Sequence, residues 1–281
     1  MIDISNKIEP STVAVVEAID LAARNLGIPF FVVGATARDM LLRDAFHLSP
    51  RRATHDIDIA IRVADWNEYN TLTNSLVASG AFKHTAMAHR LLFNENEPVD
   101  IMPFGPIAGE KRSIAWPPSE DMVMGVLGFE EAFRSANPVT VRRTPRLDIP
   151  VATLAGLALM KLISWDETYP ERGKDGEDFY YIIESYADAG NSDRIFHEAS
   201  DLLNTEAFDL TRAGARLLGR DMKQLAEMDA FQKAREILSR ESDPAGSLRL
   251  ITDIIGTNIT LQERFDEVLG LMRSVREGIM D

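Results

Sequence analysis

The sequence predicts an α+β fold in which a mixed-sheet domain precedes an all-helical domain. Apolar runs of strand length alternate with amphipathic helical patterns through the first half of the 281-residue chain. Only helical periodicity follows Val151, and the intervening segment RTPRLDIPVATLAG carries two prolines, which favour a boundary. We therefore expect one domain over residues 1–148 and a helical domain over residues 149–281.

The elements of the first domain follow from apolar spacing and from the residues that interrupt it. TVAVVEAIDLAARNL has helical spacing and should end at Gly27. IPFFVV suits a buried strand, ARDMLLRDAF suits a helix, DIDIAIRV suits the next strand, and a helix capped by Asp65 follows. Further strands are predicted in the runs AFKHTAM, HRLLFN, PVDIMPF, DMVMGVLGF and NPVTVRR.

Composition excludes several classes of site and favours a cytoplasmic protein. With no cysteine, the chain has no disulfide, no zinc-thiolate site and no thiol nucleophile. The start MIDISNKIEPS lacks the pattern of a signal peptide, and no apolar run approaches the length of a membrane span. A formal net charge of −14 opposes non-specific coating of nucleic acid, so a nucleic-acid partner would need a locally basic surface.

The segment THDIDIAI places two aspartates on one face of a strand. Because side chains alternate along a strand, Asp56 and Asp58 share one face while three isoleucines share the other. A single D-x-D motif is more often the wet face of a half-buried strand. Two adjacent carboxylates nevertheless repel unless water screens them or a cation lies between them, and Mg²⁺ or Mn²⁺ prefers such oxygen ligands. Asp100, in PVDIMPF, would complete a three-oxygen site if its strand lay alongside.

The segment FFVVGATARDML runs from an apolar strand through one glycine into a helix. Small residues at such a turn allow a phosphate to approach the unpaired backbone amides of the helix start. Gly34, Thr36 and Arg38 are therefore candidates for phosphate binding, and Asp39 could fix a neighbouring loop. A plain strand-to-helix turn is the simpler interpretation of an isolated glycine.

The order of these motifs resembles that of the polymerase-beta-type nucleotidyltransferase superfamily. VVGATARDMLL followed by HDIDIAI is similar to the turn, helix and acidic strand of tRNA nucleotidyltransferase-like and AbiEii toxin-like enzymes. LALMKLISW followed by ERGKDGEDFYYII is a further AbiEii-like feature, whose matching positions are Lys161, Arg172, Lys174, Asp175 and Asp178. The resemblance covers roughly the first 190 residues.

The resemblance implies a nucleotidyltransferase-like sheet domain that moves a nucleoside monophosphate from a nucleoside triphosphate to a hydroxyl acceptor. The acceptor would be RNA, a protein or a small molecule, and AbiEii-type proteins often act as toxins controlled by an antitoxin. Asp56, Asp58 and Asp100 would be catalytic ligands of Mg²⁺ or Mn²⁺. The implied nucleotide-binding residues are Gly34, Ala35, Thr36, Arg38, Lys161, Lys174 and Asp175.

Two alternatives remain open from the residues alone. Where the family often has Gly-Gly or Gly-Ser, this chain has Gly34, Ala35 and Thr36, and alanine restricts the backbone if the turn needs a positive φ. A catalytically inactive nucleotide- or protein-binding module on the same fold is therefore the second hypothesis. The third is that the acids are merely exposed strand residues that bind no metal.

Other polar residues near these motifs are weaker candidates. Basic residues just before the acidic strand could face an acceptor or the triphosphate, although a solvated loop is commoner, and those near the domain boundary could hold an RNA backbone. The histidine just before Asp56 could orient it, whereas the histidine and arginine on the strand before Asp100 could contact a base or sugar. The residues concerned are Arg51, Arg52, Arg142, Arg143, Arg146, His55, His89 and Arg90.

Overall fold

The computed structural model describes residues 1–50, 55–171, 173–256 and 258–281, which divide into the units Met1–Thr153 and Leu154–Asp281. Strands occur only in the first unit among these residues, and the second is helical. The predicted α+β class, with a mixed sheet followed by helices, is therefore confirmed. The division expected at residue 148 falls inside a strand, Arg146–Val151.

Eight described strands form one mixed sheet in the first unit, and two more form a small antiparallel pair. The large sheet has the order β1-β9-β10-β2-β3-β6-β5-β4, and β7 pairs with β8. The strands are β1 (Ile2–Asp3), β2 (Phe30–Val32), β3 (Ile57–Arg62), β4 (Phe82–His84), β5 (Arg90–Phe93), β6 (Glu97–Phe104), β7 (Ser113–Ala115), β8 (Val123–Gly125), β9 (Asn137–Arg143) and β10 (Arg146–Val151).

The helices of the first unit pack apolar residues against this sheet and begin or end at recognisable caps. They are α1 (Pro10–Leu26), α2 (Gly34–Asp39), α3 (Trp66–Ala78) and α4 (Phe129–Arg134). Gly27 ends α1 in a left-handed conformation with φ 69°, and the Asp65 carboxylate caps α3 by accepting from two backbone amides. The predicted C-terminus of α1 at Gly27 and the predicted N-terminal cap of α3 at Asp65 are confirmed. The helix predicted in ARDMLLRDAF begins earlier, at Gly34, and continues from α2 as a π-helical turn, Met40–Ala45.

The segment RTPRLDIPVATLAG, where the sequence favours a boundary, contains both a strand of the sheet and the division between Thr153 and Leu154. Its residues Arg146–Val151 form β10, which pairs antiparallel with β9 and parallel with β2. Pro150 is tolerated within β10 because β10 pairs with β2 only at Val151, so Pro150 does not need to donate a hydrogen bond to that neighbour. Proline counts as an interruption in sequence but is compatible with a strand that is paired along one side for most of its length.

The second unit is a set of packed helices whose central pair approaches closely. A Cβ atom on Gly278 of the last helix would lie 1.9 Å from the carbonyl oxygen of Arg216, so only glycine permits this approach. The helices are α5 (Leu154–Thr168), α6 (Gly173–Ser185), α7 (Ser192–His197), α8 (Asp201–Thr205), α9 (Leu210–Leu225), α10 (Met228–Glu241), α11 (Arg249–Ile255), α12 (Ile259–Glu263) and α13 (Phe265–Met280). In the described parts of the chain, none of the helices combines the length and the apolarity that crossing a bilayer requires.

Candidate active site

Strand register brings the three predicted acids together. β3 and β6 are parallel neighbours in which Asp58 lies directly opposite Asp100, and Asp56 immediately precedes β3. One carboxylate oxygen of each residue lies within 4.8 Å of the other two. Because side chains alternate across a sheet, a shift of one residue in this register would move Asp100 to the opposite face. The apolar face of β3 is buried at Ile57, Ile59 and Ile61, which fixes the register.

The glycine turn lies against the acidic strand. Gly34 has φ +62°, and a Cβ atom there would lie 2.1 Å from Oδ2 of Asp58 and 2.7 Å from its Cβ. The backbone amide of Ala35 donates to the same Oδ2 at 3.1 Å. Glycine is thus required both by the backbone conformation and by the space that the Asp58 side chain occupies.

Thr36 joins the turn to the backbone of the acidic strand. Its hydroxyl donates to the carbonyl oxygen of Asp56 at 3.1 Å and accepts from the backbone amide of Asp58 at 3.1 Å. Thr36 is buried, and Val33 adds a backbone hydrogen bond to the Asp58 carbonyl at 3.0 Å. In the described conformation, the Thr36 hydroxyl therefore positions Asp56 and Asp58.

Ala35 does not strain the turn. Within the described residues, Gly34 has a positive φ but Ala35 does not, and Ala35 belongs to α2. The sequence concern that alanine would limit the backbone at this position does not arise, because the left-handed conformation falls on the glycine.

Arg90 is a cation that contacts the acidic group, the cluster of Asp56, Asp58 and Asp100, directly. It lies opposite Asp100 in the antiparallel pair of β5 and β6. Its Nε donates to Asp100 Oδ1 at 2.6 Å, and its Nη2 donates to Asp100 Oδ2 at 2.7 Å and to Asp56 Oδ2 at 3.2 Å. The hydrogen bonds to Asp100 raise the pKa of Arg90 above its already high value. Sequence reasoning suggests Arg90 for base or sugar contact and misses this pairing, which only the strand register reveals.

Arg38 is held inside the fold. It is 2% exposed, and its guanidinium donates to Asp39 Oδ1 at 2.9 and 2.6 Å. In the described conformation, a phosphate outside the protein has almost no access to this guanidinium. The role of Arg38 in nucleotide binding therefore stays a prediction. Asp39 forms an ion pair with Arg38, its neighbour in the chain.

A cavity of about 450 Å³ opens beside Asp56. Its lining includes Thr36 and His55, together with the acidic residues Glu9, Asp39, Asp44, Asp56 and Glu97. Arg43, which also lines it, donates to both oxygens of Asp44 at 2.6 and 2.9 Å. Even with Asp39 paired to Arg38 and Asp44 paired to Arg43, the carboxylates of the lining outnumber these arginines, so the cavity is acidic and a bare triphosphate would be repelled from it.

Aromatic residues pack together near the strands that carry Arg90 and Asp100. The Tyr69 hydroxyl donates to the carbonyl oxygens of Ala88 and Ile101, and burial followed by the charge of Asp100 raises the pKa of Tyr69. The rings of Trp66 and Tyr69 pack around Trp116, and His89 contacts Trp116 at a centroid distance of 5.7 Å. The described ring contact gives His89 a packing role beside β5.

Lys161 and Asp175, predicted to bind nucleotide, contact each other within the second unit. The Lys161 Nζ lies 2.6 Å from Asp175 Oδ1 and 2.9 Å from Asp178 Oδ2, and both aspartates are 2% exposed. Burial lowers the pKa of Lys161, but the two carboxylates outweigh burial and the pKa is raised. This ion cluster ties α5 to α6. Lys174 is exposed in the first turn of α6.

The basic residues near the boundary carry acidic partners. Arg142 donates to Glu17, Arg143 to Asp3 at 2.8 Å, and Arg146 to Asp148 at 2.7 Å. These pairs weaken the case for an RNA-binding surface there, because their charge is already balanced. The remaining basic candidates, Arg51, Arg52 and Arg172, lie outside the described residues.

No protein family matches the chain, and no curated protein matches it. The chain is similar to the solution structure of the antibiotic-resistance factor ANT(2'')-Ia, with 14% identity over 71% of this chain and 98% of that chain and a TM-score of 0.37. It is similar to the crystal structure of ANT(2")-Ia in complex with adenylyl-2"-tobramycin, with 14% identity over 73% of this chain and 97% of that chain and a TM-score of 0.37. It is also similar to the crystal structure of an antigenic nucleotidyltransferase-like protein from Paracoccidioides brasiliensis, with 16% identity over 71% of this chain and 90% of that chain and a TM-score of 0.38. At these TM-scores the likeness supports no inference about function.

Replacing Gly34 by alanine tests the close approach of the turn to Asp58. The matched control is Gly27→Ala, because Gly27 has a similar φ of +69° but no atom within 4 Å of the position that a Cβ would take. We expect Gly27→Ala to lower the free energy of unfolding by about 1–2 kcal/mol, the cost of a left-handed alanine. Gly34→Ala should lose about 1–3 kcal/mol more through overpacking against Asp58. Equal losses in urea-unfolding curves would contradict this account of the contact.

Replacing Lys161 by methionine tests its structural role in the second unit. Lys161→Met leaves the buried carboxylates of Asp175 and Asp178 without their cation, which should lower the free energy of unfolding by about 3 kcal/mol. Lys174→Met, on the exposed start of the same helix pair, should change it by less than about 0.5 kcal/mol. Chemical denaturation measures both. If Lys161→Met unfolds like the wild-type protein, the ion cluster is not structural.

Proposed function

We propose that this chain is a divalent-metal-dependent nucleotidyltransferase of the polymerase-beta type. It would move a nucleoside monophosphate from a nucleoside triphosphate to a hydroxyl acceptor. The observation that carries this proposal is the approach of Asp56, Asp58 and Asp100 to within 4.8 Å of one another, opposite a glycine turn. Neither the turn nor the D-x-D strand is specific alone, but their convergence in space supports this chemistry.

The residues present fit Mg²⁺ or Mn²⁺. Three carboxylates offer the hard oxygen ligands that these ions prefer, and Arg90 balances only part of their charge. Asp58 is oriented in advance by the Ala35 amide, and Thr36 holds the backbone on both sides of the motif. Asp56, Asp58 and Asp100 would therefore hold the metal. When bound, the metal supplies positive charge that neutralises the triphosphate and favours ionisation of the attacking hydroxyl.

The protein residues set the conditions for this transfer. The acidic cavity repels bare phosphate, so the triphosphate should enter only together with a cation. The fixed turn and strand keep the carboxylates in place without requiring reorganisation, which lowers the cost of reaching the transition state. Gly34, Ala35, Thr36 and Arg38 are proposed to lie near the phosphates, while Lys161, Lys174 and Asp175 remain candidate nucleotide residues of the helical unit.

The acceptor is proposed to be a hydroxyl group of RNA, a protein or a small molecule. The ion pairs at Arg142, Arg143 and Arg146 make RNA less favourable at that surface. The AbiEii-like motif order extends the proposal to a toxin whose activity an antitoxin partner neutralises. Growth arrest on expression, relieved by Asp58→Asn, is the behaviour that this extension requires.

The second candidate is a catalytically inactive nucleotide- or protein-binding module. The specific observation in its favour is the pairing of Arg90 with both oxygens of Asp100, because a carboxylate neutralised by arginine does not need a metal. Metal-dependent triphosphate binding in calorimetry, without any transfer to an acceptor, would identify this module.

Labelling with radioactive nucleoside triphosphates tests the transfer reaction. Purified protein, Mg²⁺ or Mn²⁺ and a cellular extract of RNA, protein and metabolites should yield a labelled acceptor. Asp58→Asn should lower the rate by more than about 100-fold, since even hydrogen-bond partners of metal ligands are worth about 10- to 100-fold. Asp121→Asn, an exposed carboxylate on another loop of the same unit, should leave the rate unchanged. Absence of label with all four triphosphates would reject the enzyme.

A further inference from the structure

We propose that Arg90 is a built-in cation that takes the place of a metal ion at Asp100, so that the acidic group binds a single divalent ion. This inference rests on the proposed metal-dependent function and makes it more specific. Arg90 would act as a positioning residue, because it contacts the metal-binding carboxylates and not the reacting atoms. Its consequence narrows the ligand set proposed above from three carboxylates to two: Asp56 and Asp58 hold the metal, while Asp100 remains paired with Arg90.

The first support is that the sheet itself places Arg90. Arg90 of β5 and Asp58 of β3 lie on opposite sides of Asp100 in β6, and all three occupy paired register positions. Arg90 therefore reaches Asp100 as a cross-strand neighbour and does not depend on a flexible loop. Cross-strand pairs of opposite charge stabilise a sheet, so the register itself favours this contact.

The second support is the geometry of the guanidinium. Two parallel hydrogen bonds, at 2.6 and 2.7 Å, engage both oxygens of Asp100, and a third at 3.2 Å reaches Asp56. A bidentate arginine–carboxylate pair is fixed in direction and stronger than a single hydrogen bond. A metal ion bound to Asp100 would have to displace at least one of these bonds, whereas a metal bound to Asp56 and Asp58 would displace at most the longest one.

The third support is the exposure of the carboxylates. The side chain of Asp56 is 43% exposed and that of Asp100 is 13% exposed. An ion arriving from solvent therefore meets Asp56 first, while Asp100 lies deeper and is already neutralised. Arginine stays protonated throughout the accessible pH range, so its charge is permanent and would repel a second divalent ion nearby.

Titration of the full-length protein with Mn²⁺ alone, followed by calorimetry and by electron paramagnetic resonance of free Mn²⁺, tests this inference. The wild-type protein should bind one ion at the acidic group, and Asp58→Asn should abolish that binding. Arg90→Gln, which removes the charge but keeps an amide donor, should raise the stoichiometry from one ion to two. Arg62→Gln, at the other end of β3 and paired with Glu130, should bind one ion like the wild-type protein.

Arg90→Lys keeps the proposal testable if Arg90→Gln folds poorly by circular dichroism. Lysine retains the charge but cannot form the bidentate pair, so this variant should still bind one ion. Two ions on the wild-type protein, or two on Arg90→Lys, would overturn the role of the Arg90 charge, as would one ion on a folded Arg90→Gln. These results leave the proposed function standing. Failure of both the wild-type protein and Arg90→Gln to bind Mn²⁺ would instead remove the metal-dependent function itself, and the inference with it.

Discussion

The candidate site depends on the contact between Gly34 and the side chain of Asp58. A Cβ atom at position 34 would overlap the Oδ2, Cγ and Cβ atoms of Asp58, so the turn and the acidic strand can meet only at glycine. The same approach lets the Ala35 amide bind the Asp58 carboxylate and lets Thr36 bind the strand backbone. Three hydrogen bonds therefore join two separate sequence motifs, the turn and the acidic strand, into one arrangement.

Much of this arrangement could be predicted from the sequence because it follows from local periodicity. The alternation in DIDIAI put Asp56 and Asp58 on one face, the apolar run before Gly34 gave β2, and Asp65 marked the start of α3. What could not be predicted depends on long-range pairing. The position of Arg90 opposite Asp100 requires the register of β5 and β6. β10 was obscured by Pro145 before it and Pro150 within it, because proline is a turn signal in isolation.

The polar groups of the glycine turn that were predicted to bind phosphate already have hydrogen-bond partners within the protein. Thr36 and the Ala35 amide already bind the acidic strand, and Arg38 is buried with Asp39. Residue types that suit phosphate binding are therefore used here to build the carboxylate group. This explains why a motif match can identify the correct region while assigning individual side chains a role that their contacts do not yet support.

The distribution of charge then makes a cation necessary for the proposed substrate. Around the acidic group, Arg38, Arg43 and Arg90 are each paired with a neighbouring carboxylate, so their charge is balanced within the protein. The cavity beside Asp56 keeps several further carboxylates, and the whole chain carries a formal net charge of −14. A triphosphate adds more negative charge to this environment. Because these three arginines are already committed to other partners, a divalent ion is the source of positive charge best suited to bring a nucleotide to these aspartates.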